Sequence, residues 1–234
     1  MDIWYEVVRI ILRSYLTVCV KSVEIKGAKN LPSGPKIIAA NHANATDCFT
    51  LPFILKEKLH FLVQAESFTV PIIGRLLALA DQIPVVQRRG YEALNIAKDR
   101  LAQGHTVVIF PEGKLNHGQN FHRPRIGAVL LSILSGTPII PIGFYVPSEN
   151  THFFQSHFHN RKSLARWQIR GKCFIRIGKP YTLKGYSGAE ADYRALRELT
   201  QELMEKISEL IDQATEAAHS PIDYQLPDLN LEAS

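Results

Sequence analysis

Four short segments of this 234-residue chain run from an apolar stretch straight into side chains that can do chemistry. In the first, Ile37-Ile38-Ala39-Ala40 leads into Asn41-His42-Ala43-Asn44-Ala45-Thr46-Asp47. A histidine at the carboxyl end of a buried strand sits on the edge where α/β folds collect ligands. Asp47 follows five residues later and opens a helix. On one continuous helix that spacing would hold the two side chains about 140° apart, but with a turn between them the carboxylate can swing back to the imidazole. A buried carboxylate bonded to one ring nitrogen fixes the tautomer, stabilises the imidazolium and leaves the other nitrogen free as a base. The spacing alone equally allows a capping aspartate beside an unrelated surface histidine.

The second segment is Val107-Val108-Ile109-Phe110-Pro111-Glu112-Gly113-Lys114. Its glycine lets backbone approach a ligand closely and Lys114 supplies charge; a tight turn with a solvated glutamate is the plainer alternative. In the third, Ile83-Pro84-Val85-Val86-Gln87-Arg88-Arg89 delivers two arginines to a loop. Their planar guanidinium forks suit phosphate oxygens, although a solvated pair would look the same. The fourth, Pro138-Ile139-Ile140-Pro141-Ile142-Gly143-Phe144, lacks reactive groups and reads as framework.

The elements that must carry these segments alternate between strand and helix. Short Val- and Ile-rich runs bounded by Pro, Gly or Asn predict strands at Val23–Lys26, Lys36–Ala40, His60–Gln64, Ile83–Val86, Thr106–Phe110, Pro138–Phe144 and Cys173–Ile177. Helical periodicity falls at Cys48–Leu55, Ile72–Ala80, Tyr91–Gln103, Gly127–Leu134 and, as one long amphipathic helix, Ala189–Ala217. The expected fold class is therefore α/β, a mixed and largely parallel sheet flanked by helices. Pro147–Trp167 is polar and irregular and is expected to wander over the surface. The expected organisation is an amphipathic helix over residues 1–20, one domain over 21–218 and a tail over 219–234.

Charge is unevenly spread. The net charge is +5, yet residues 1–186 carry 24 Lys/Arg against 11 Asp/Glu, and residues 187–234 carry 3 against 11. A basic body with an acidic C-terminal segment favours anionic partners. Aromatic and basic residues are not interleaved as in a known nucleic-acid module, so no nucleic acid is expected. The three cysteines, Cys19, Cys48 and Cys173, are too few and too scattered for a disulfide framework or zinc site, and a reducing compartment suits them. His152, His157 and His159 lack a further ligand at metal spacing, and no metal is expected. Met1–Val20 has acidic residues where a signal peptide needs basic ones. On a helix, Trp4, Val7, Val8, Ile11, Tyr15 and Val18 share an apolar face, which could pack on the domain or lie in a membrane interface with Arg9, Arg13 and Lys21 near lipid phosphates.

Taken in order, the four segments resemble the phospholipid/glycerol acyltransferase family, which includes the lysophosphatidic acid acyltransferases. Asn41, His42 and Asp47 match its Asn-His-four-residues-Asp block, and Arg88 the arginine ending its second block. Phe110-Pro111-Glu112-Gly113 and the Pro-Ile-Ile-Pro strand are intact, and Arg125-Ile126-Gly127-Ala128 fits the basic residue beside Gly-Ala that follows. The likeness spans residues 20–180. It departs at Lys114-Leu115-Asn116, where Thr-Arg-Ser is usual, and at Gln87, where an acid is usual.

The resemblance implies His42 and Asp47 as catalytic residues and Arg88, Glu112, Gly113, Lys114 and Arg125 as binders of substrate. Glu112 is expected to bond an acceptor hydroxyl or anchor an arginine. The implied reaction moves an acyl group from acyl-CoA or acyl carrier protein to a lysophospholipid hydroxyl, most simply that of 1-acylglycerol 3-phosphate. It proceeds without an acyl-enzyme, bound cofactor or metal, on an anionic membrane surface from the cytoplasmic side as a peripheral protein. The same pair could also drive hydrolysis of an acyl thioester or serve another lysolipid, a glycolipid or an amine. A serine hydrolase is disfavoured because the chain has no Gly-x-Ser-x-Gly elbow.

Overall fold

A computed structural model describes residues 3–55, 57–117, 121–158, 161–183 and 192–220. The chain runs α1 (Ile3–Cys19), β1 (Ser22–Lys26), β2 (Lys36–Ala40), α2 (Asp47–Ile54), β3 (Leu59–Gln64), α3 (Ile73–Leu79), β4 (Ile83–Val85), α4 (Gly90–Ala102) and β5 (Thr106–Ile109). It continues with α5 (Gly127–Ser135), β6 (Ile139–Tyr145), β7 (Thr151–Phe158), β8 (Arg161–Gln168), β9 (Lys172–Ile177) and α6 (Tyr193–His219). Seven strands form one sheet in the order β1-β9-β6-β2-β5-β3-β4. Every pairing is parallel except that between β6 and β9, so β1 and β9 run against the other five. This is the mixed, largely parallel α/β sheet expected from the sequence.

Helices cover both faces, which is why the central strands are apolar at every position rather than alternately. Ile37, Ala39, Val107 and Ile139 face a core built with α4, α5 and α6. Ile38, Ala40, Val108, Ile140 and Ile142 face the opposite core, which includes Leu51 of α2 and Val20 just past α1. Lys36, the first residue of β2, is buried too, and its ammonium meets Glu57 and Thr106 Oγ1.

One expectation needs correcting. Pro147–Trp167 is not an irregular excursion: β7 and β8 form an antiparallel hairpin in register from Thr151↔Gln168 to Phe158↔Arg161. The hairpin is a sheet of its own, so its strands lack the two-sided apolar core that betrays the central strands of the main sheet. The apolar face of α1 is also divided. Tyr5 is buried, its hydroxyl accepting the Leu59 N–H at 3.0 Å, and Tyr15 packs edge-on against Phe49 and Trp167. Ile3, Trp4, Val7, Ile10, Ile11 and Val18 remain exposed. The long C-terminal helix extends through His219, and residues 189–191 and 221–234 of the expected helix and tail lie outside the described residues.

Candidate active site

The two chemistry-bearing loops meet because their strands are neighbours. β2 and β5 pair in parallel from Lys36↔Thr106 to Ala39↔Ile109, so His42 and Glu112 each lie three residues beyond the last matched pair. The register shows directly: the His42 N–H donates to Glu112 Oε1 at 3.0 Å, and the Asn116 N–H donates to the His42 carbonyl at 2.9 Å. Asn41 ties the same loop to β6, donating from Nδ2 to the Phe144 carbonyl and accepting the Phe144 N–H.

The turn after β2 does what the spacing required. His42 Nδ1 lies 3.5 Å from Asp47 Oδ2, with the carboxylate almost wholly buried and the imidazole partly open. That separation is an ion-pair distance, and a closure of about half an ångström makes it a hydrogen bond. Asp47 is held rigidly by Asn44, whose main-chain N–H bonds Oδ2 at 2.7 Å and whose Nδ2 bonds Oδ1 at 3.0 Å. The His42 ring stacks on Phe110, centroids 4.1 Å apart and planes 12° from parallel. With Nδ1 turned to Asp47 and the ring braced from behind, Nε2 is the nitrogen left to work as a base. Cys48, next to Asp47, is a poor nucleophile: burial of its sulfur and the neighbouring carboxylate push the thiol up to about 12.

Glu112 is buried and committed to the loop. Its carboxylate accepts from Asn116 Nδ2 at 2.9 and 2.8 Å besides the His42 N–H. Burial raises its pKa, and the bonds from His42, Asn116 and His122 oppose that shift. It thus fixes the position of His42 rather than anchoring an arginine. Gly113 has φ 68°, and a side chain there would drive its Cβ to 2.5 Å from Arg125 Nε, so the Arg125 side chain lies across this turn. The Arg125 N–H donates to the Pro111 carbonyl at 2.7 Å. Lys114 is exposed beside them.

Arg88 is placed differently. β4 is the edge strand, three strand spacings or roughly 14 Å from β2. Arg88 is exposed there, at φ 67°. The sheet brings it to the same edge as His42 but not into contact with the dyad.

The hairpin supplies residues that the sequence did not flag. The Ala45 N–H donates to the Arg166 carbonyl at 2.8 Å, and the Gln168 N–H donates to Thr46 Oγ1 at 3.3 Å. The loop between His42 and Asp47 is therefore laced to β8. Asn44 could have been singled out as a short amide three residues before a buried acid; the β8 contacts carry no sequence signal. Among the described residues no group of three or more His, Cys, Asp or Glu is arranged to hold a metal. The side chains of His157 and His159 lie outside the described residues.

The chain resembles several known proteins. The chain is 27% identical over 168 residues to 1-acyl-sn-glycerol-3-phosphate acyltransferase alpha of Mus musculus, covering 70% of this chain and 56% of that one. It is 31% identical over 125 residues to a 1-acyl-sn-glycerol-3-phosphate acyltransferase of Chlamydomonas reinhardtii, covering 51% and 37%. For the enzyme of that name from Haemophilus influenzae the identity is 27% over 179 residues, 74% and 69%. The chain thus spans about a third to a half of the length of the first two relatives. The crystal structure of the 1-acyl-sn-glycerophosphate acyltransferase PlsC from Thermotoga maritima shares the fold, with TM-score 0.64 and 19% identity over 92% of this chain and 80% of that one. The acyltransferase family pattern matches residues 22–145, more than half of the chain and the stretch that holds both the His42–Asp47 pair and the Phe110–Gly113 turn. By that match the chain belongs to the acyltransferase family.

Proposed function

We propose that this protein transfers a fatty acyl group from an acyl thioester, acyl-CoA or acyl carrier protein, to the free hydroxyl of 1-acylglycerol 3-phosphate, giving phosphatidic acid. The observation that carries the proposal is the His42–Asp47 pair, one nitrogen turned to a buried carboxylate, at the end of the central strand. His42 Nε2 takes the proton of the acceptor hydroxyl as its oxygen attacks the thioester carbonyl carbon. The tetrahedral oxyanion collapses, the carbon–sulfur bond breaks, and the imidazolium returns the proton to the departing thiolate. Asp47 stabilises the transient imidazolium. No acyl-enzyme is needed, and much of the rate comes from holding the two substrates in place. Arg88, Lys114 and Arg125, with the Glu112–Gly113 turn, form the phosphate side of the site. Lys114 stands near the usual arginine, but a single ammonium cannot reproduce a bidentate fork.

Lipid substrates require docking. No described helix is long and apolar enough to cross a membrane. The exposed row Ile3, Val7, Ile10, Ile11 and Val18 on α1, backed by the basic body, supports an interfacial helix that brings the site to an anionic lipid surface.

The test is acyl release from a long-chain acyl thioester with and without lysophosphatidate. Stimulation by the acceptor is expected, and acceptor-independent turnover would make the protein a thioesterase. His42→Ala should lower turnover by about 10²–10⁴-fold with the fold intact. Wild-type turnover in the folded variant would end this mechanism. Arg88→Ala should raise KM for the phosphorylated acceptor more than for the donor; an equal rise in both would remove Arg88 from the acceptor site.

A further inference from the structure

Among the described residues three Lys or Arg side chains are buried, and they differ in what they meet. Lys36 faces Glu57, and Arg176 Nη2 lies 2.7 Å from Glu24 Oε1. Arg166, from β8, has no carboxylate partner among the described residues. Its Nε donates to Thr151 Oγ1 at 2.9 Å, while Nη1 and Nη2 reach only the His117 and Val146 carbonyls at 3.4 and 3.5 Å. A guanidinium carries five N–H groups, so at least two are unspent among the described residues. A buried cation without a counter-ion is costly, and a bound anion offsets that cost.

Arg166 lines a cavity of about 390 Å³ between the loop after β2, the end of β6 and the C-terminal half of α6. That volume is in the range of small-molecule sites and far above the roughly 30 Å³ share of one water. On the loop side the wall is Asn44, whose Nδ2 is taken by Asp47 and whose buried Oδ1 has no hydrogen-bond partner among the described residues. That oxygen calls for a donor. The rest of the wall is mixed: Phe121, Phe144, Val146 and Ile211 are apolar, and Asn41, Asn116, Ser148 and Thr215 are polar.

We propose that this cavity binds a small phosphate ester carrying a nearby hydroxyl, its phosphate on Arg166, its hydroxyl donating to Asn44 Oδ1 and its carbon skeleton against Phe121 and Ile211. The anion and the donor follow from Arg166 and Asn44; the choice of a glycerol phosphate as the ester rests on the function proposed above. Occupancy also reaches the catalytic pair. A bond donated to Asn44 Oδ1 polarises the amide and strengthens the Nδ2–H bond to Asp47. The phosphate can come from the head of the acyl acceptor, in which case Arg166 takes the place given above to Arg88, Lys114 and Arg125, or from a free soluble ester, and the two sources are separable.

Calorimetric titration of the full chain with glycerol 3-phosphate, against glycerol and inorganic phosphate as controls, tests the site without catalysis. Glycerol 3-phosphate should bind more tightly than either control. Arg166→Gln should weaken it by about ten- to a hundredfold, since charge-assisted bonds are lost, and Arg166→Lys by less. Arg166 also braces the hairpin, so Thr215→Met provides a second arm. The threonine hydroxyl is spent on the Ile211 carbonyl within α6, and the longer side chain fills the cavity without touching the loop. It should weaken glycerol 3-phosphate by at least about tenfold, the size of a lost contact plus a clash. Competitive inhibition of acyl transfer against lysophosphatidate that is weakened in Thr215→Met assigns the cavity to the acceptor head. Non-competitive inhibition assigns it to a separate soluble ester, and either result supports the site. Binding no tighter than glycerol or inorganic phosphate, or unchanged in folded Arg166→Gln or Thr215→Met, overturns it. A wild-type protein that binds glycerol 3-phosphate but never transfers acyl groups to lysophosphatidate would instead refute the proposed function and leave the site standing.

Discussion

The two ends of the chain both form amphipathic helices, and the fold treats them in opposite ways. α6 spreads 27 residues across β6 and β9 and buries Leu196, Leu199, Thr200, Leu203, Met204, Ile207, Leu210 and Ala214. Its other face is acidic and wet. α1 has 17 residues and buries only Tyr5, although most of its length is apolar. Val18 is 85% exposed and Ile3 71%. Amphipathic periodicity therefore identifies a helix with a preferred face without saying what covers that face. For α6 it is the sheet. For α1 a thin inner stripe, including Tyr5, meets α2 and the start of β3, while a wider outer stripe faces solvent.

Three substitution sets test that contrast, in descending order of effect. Leu203→Ala in α6 should destabilise the domain by about 2–5 kcal/mol, because Leu203 is fully buried between helix and sheet. Urea unfolding measures this, and a loss well under 1 kcal/mol would mean that α6 packs loosely. Tyr5→Phe in α1 should cost about 1–3 kcal/mol, since the buried Leu59 N–H then loses its acceptor. No change in midpoint would show that α1 is not anchored through this residue. Ile3→Ser, Ile11→Ser and Val18→Ser should each leave stability within about 0.5 kcal/mol, as exposed positions do. Together they should abolish the salt-resistant part of binding to anionic liposomes, because apolar insertion, unlike charge attraction, is not screened by salt. Undiminished binding in high salt would move the docking surface elsewhere. Point substitutions are the cleaner probe than deletion of residues 1–20, which would also remove the buried Tyr5 and Val20.

The central strands β2, β5 and β6 were legible because they are buried on both sides and so read as apolar runs, and the outer strands because short Val- and Ile-bearing runs stop at turn residues. The same holds for the chemistry at the carboxyl ends of β2 and β5, where apolar runs stop abruptly at Asn41-His42 and Pro111-Glu112. The hairpin was not legible. With Phe153, Phe154 and Leu164 half-exposed and basic residues between them, it shows neither clean alternation nor a continuous apolar run. Its part in the site was hidden as well, because Arg166 and Gln168 hold the catalytic loop largely through main-chain groups. Such contacts leave almost no mark on residue type.

What the sequence determined by itself is local: which segments are strands, where each reactive side chain leaves its strand, and that five residues and a turn can return Asp47 to His42. Tertiary structure decided what depends on strand order. Placing β2 beside β5 made Glu112 a brace for the His42 backbone instead of a free acid. Placing β4 at the edge kept Arg88 apart from the dyad. The β7–β8 hairpin left Arg166 buried beside Asn44 with no carboxylate partner among the described residues. Strand order is set by the packing of whole faces, a sum over dozens of contacts between residues far apart in the chain, and a single sequence read along its length does not display that sum.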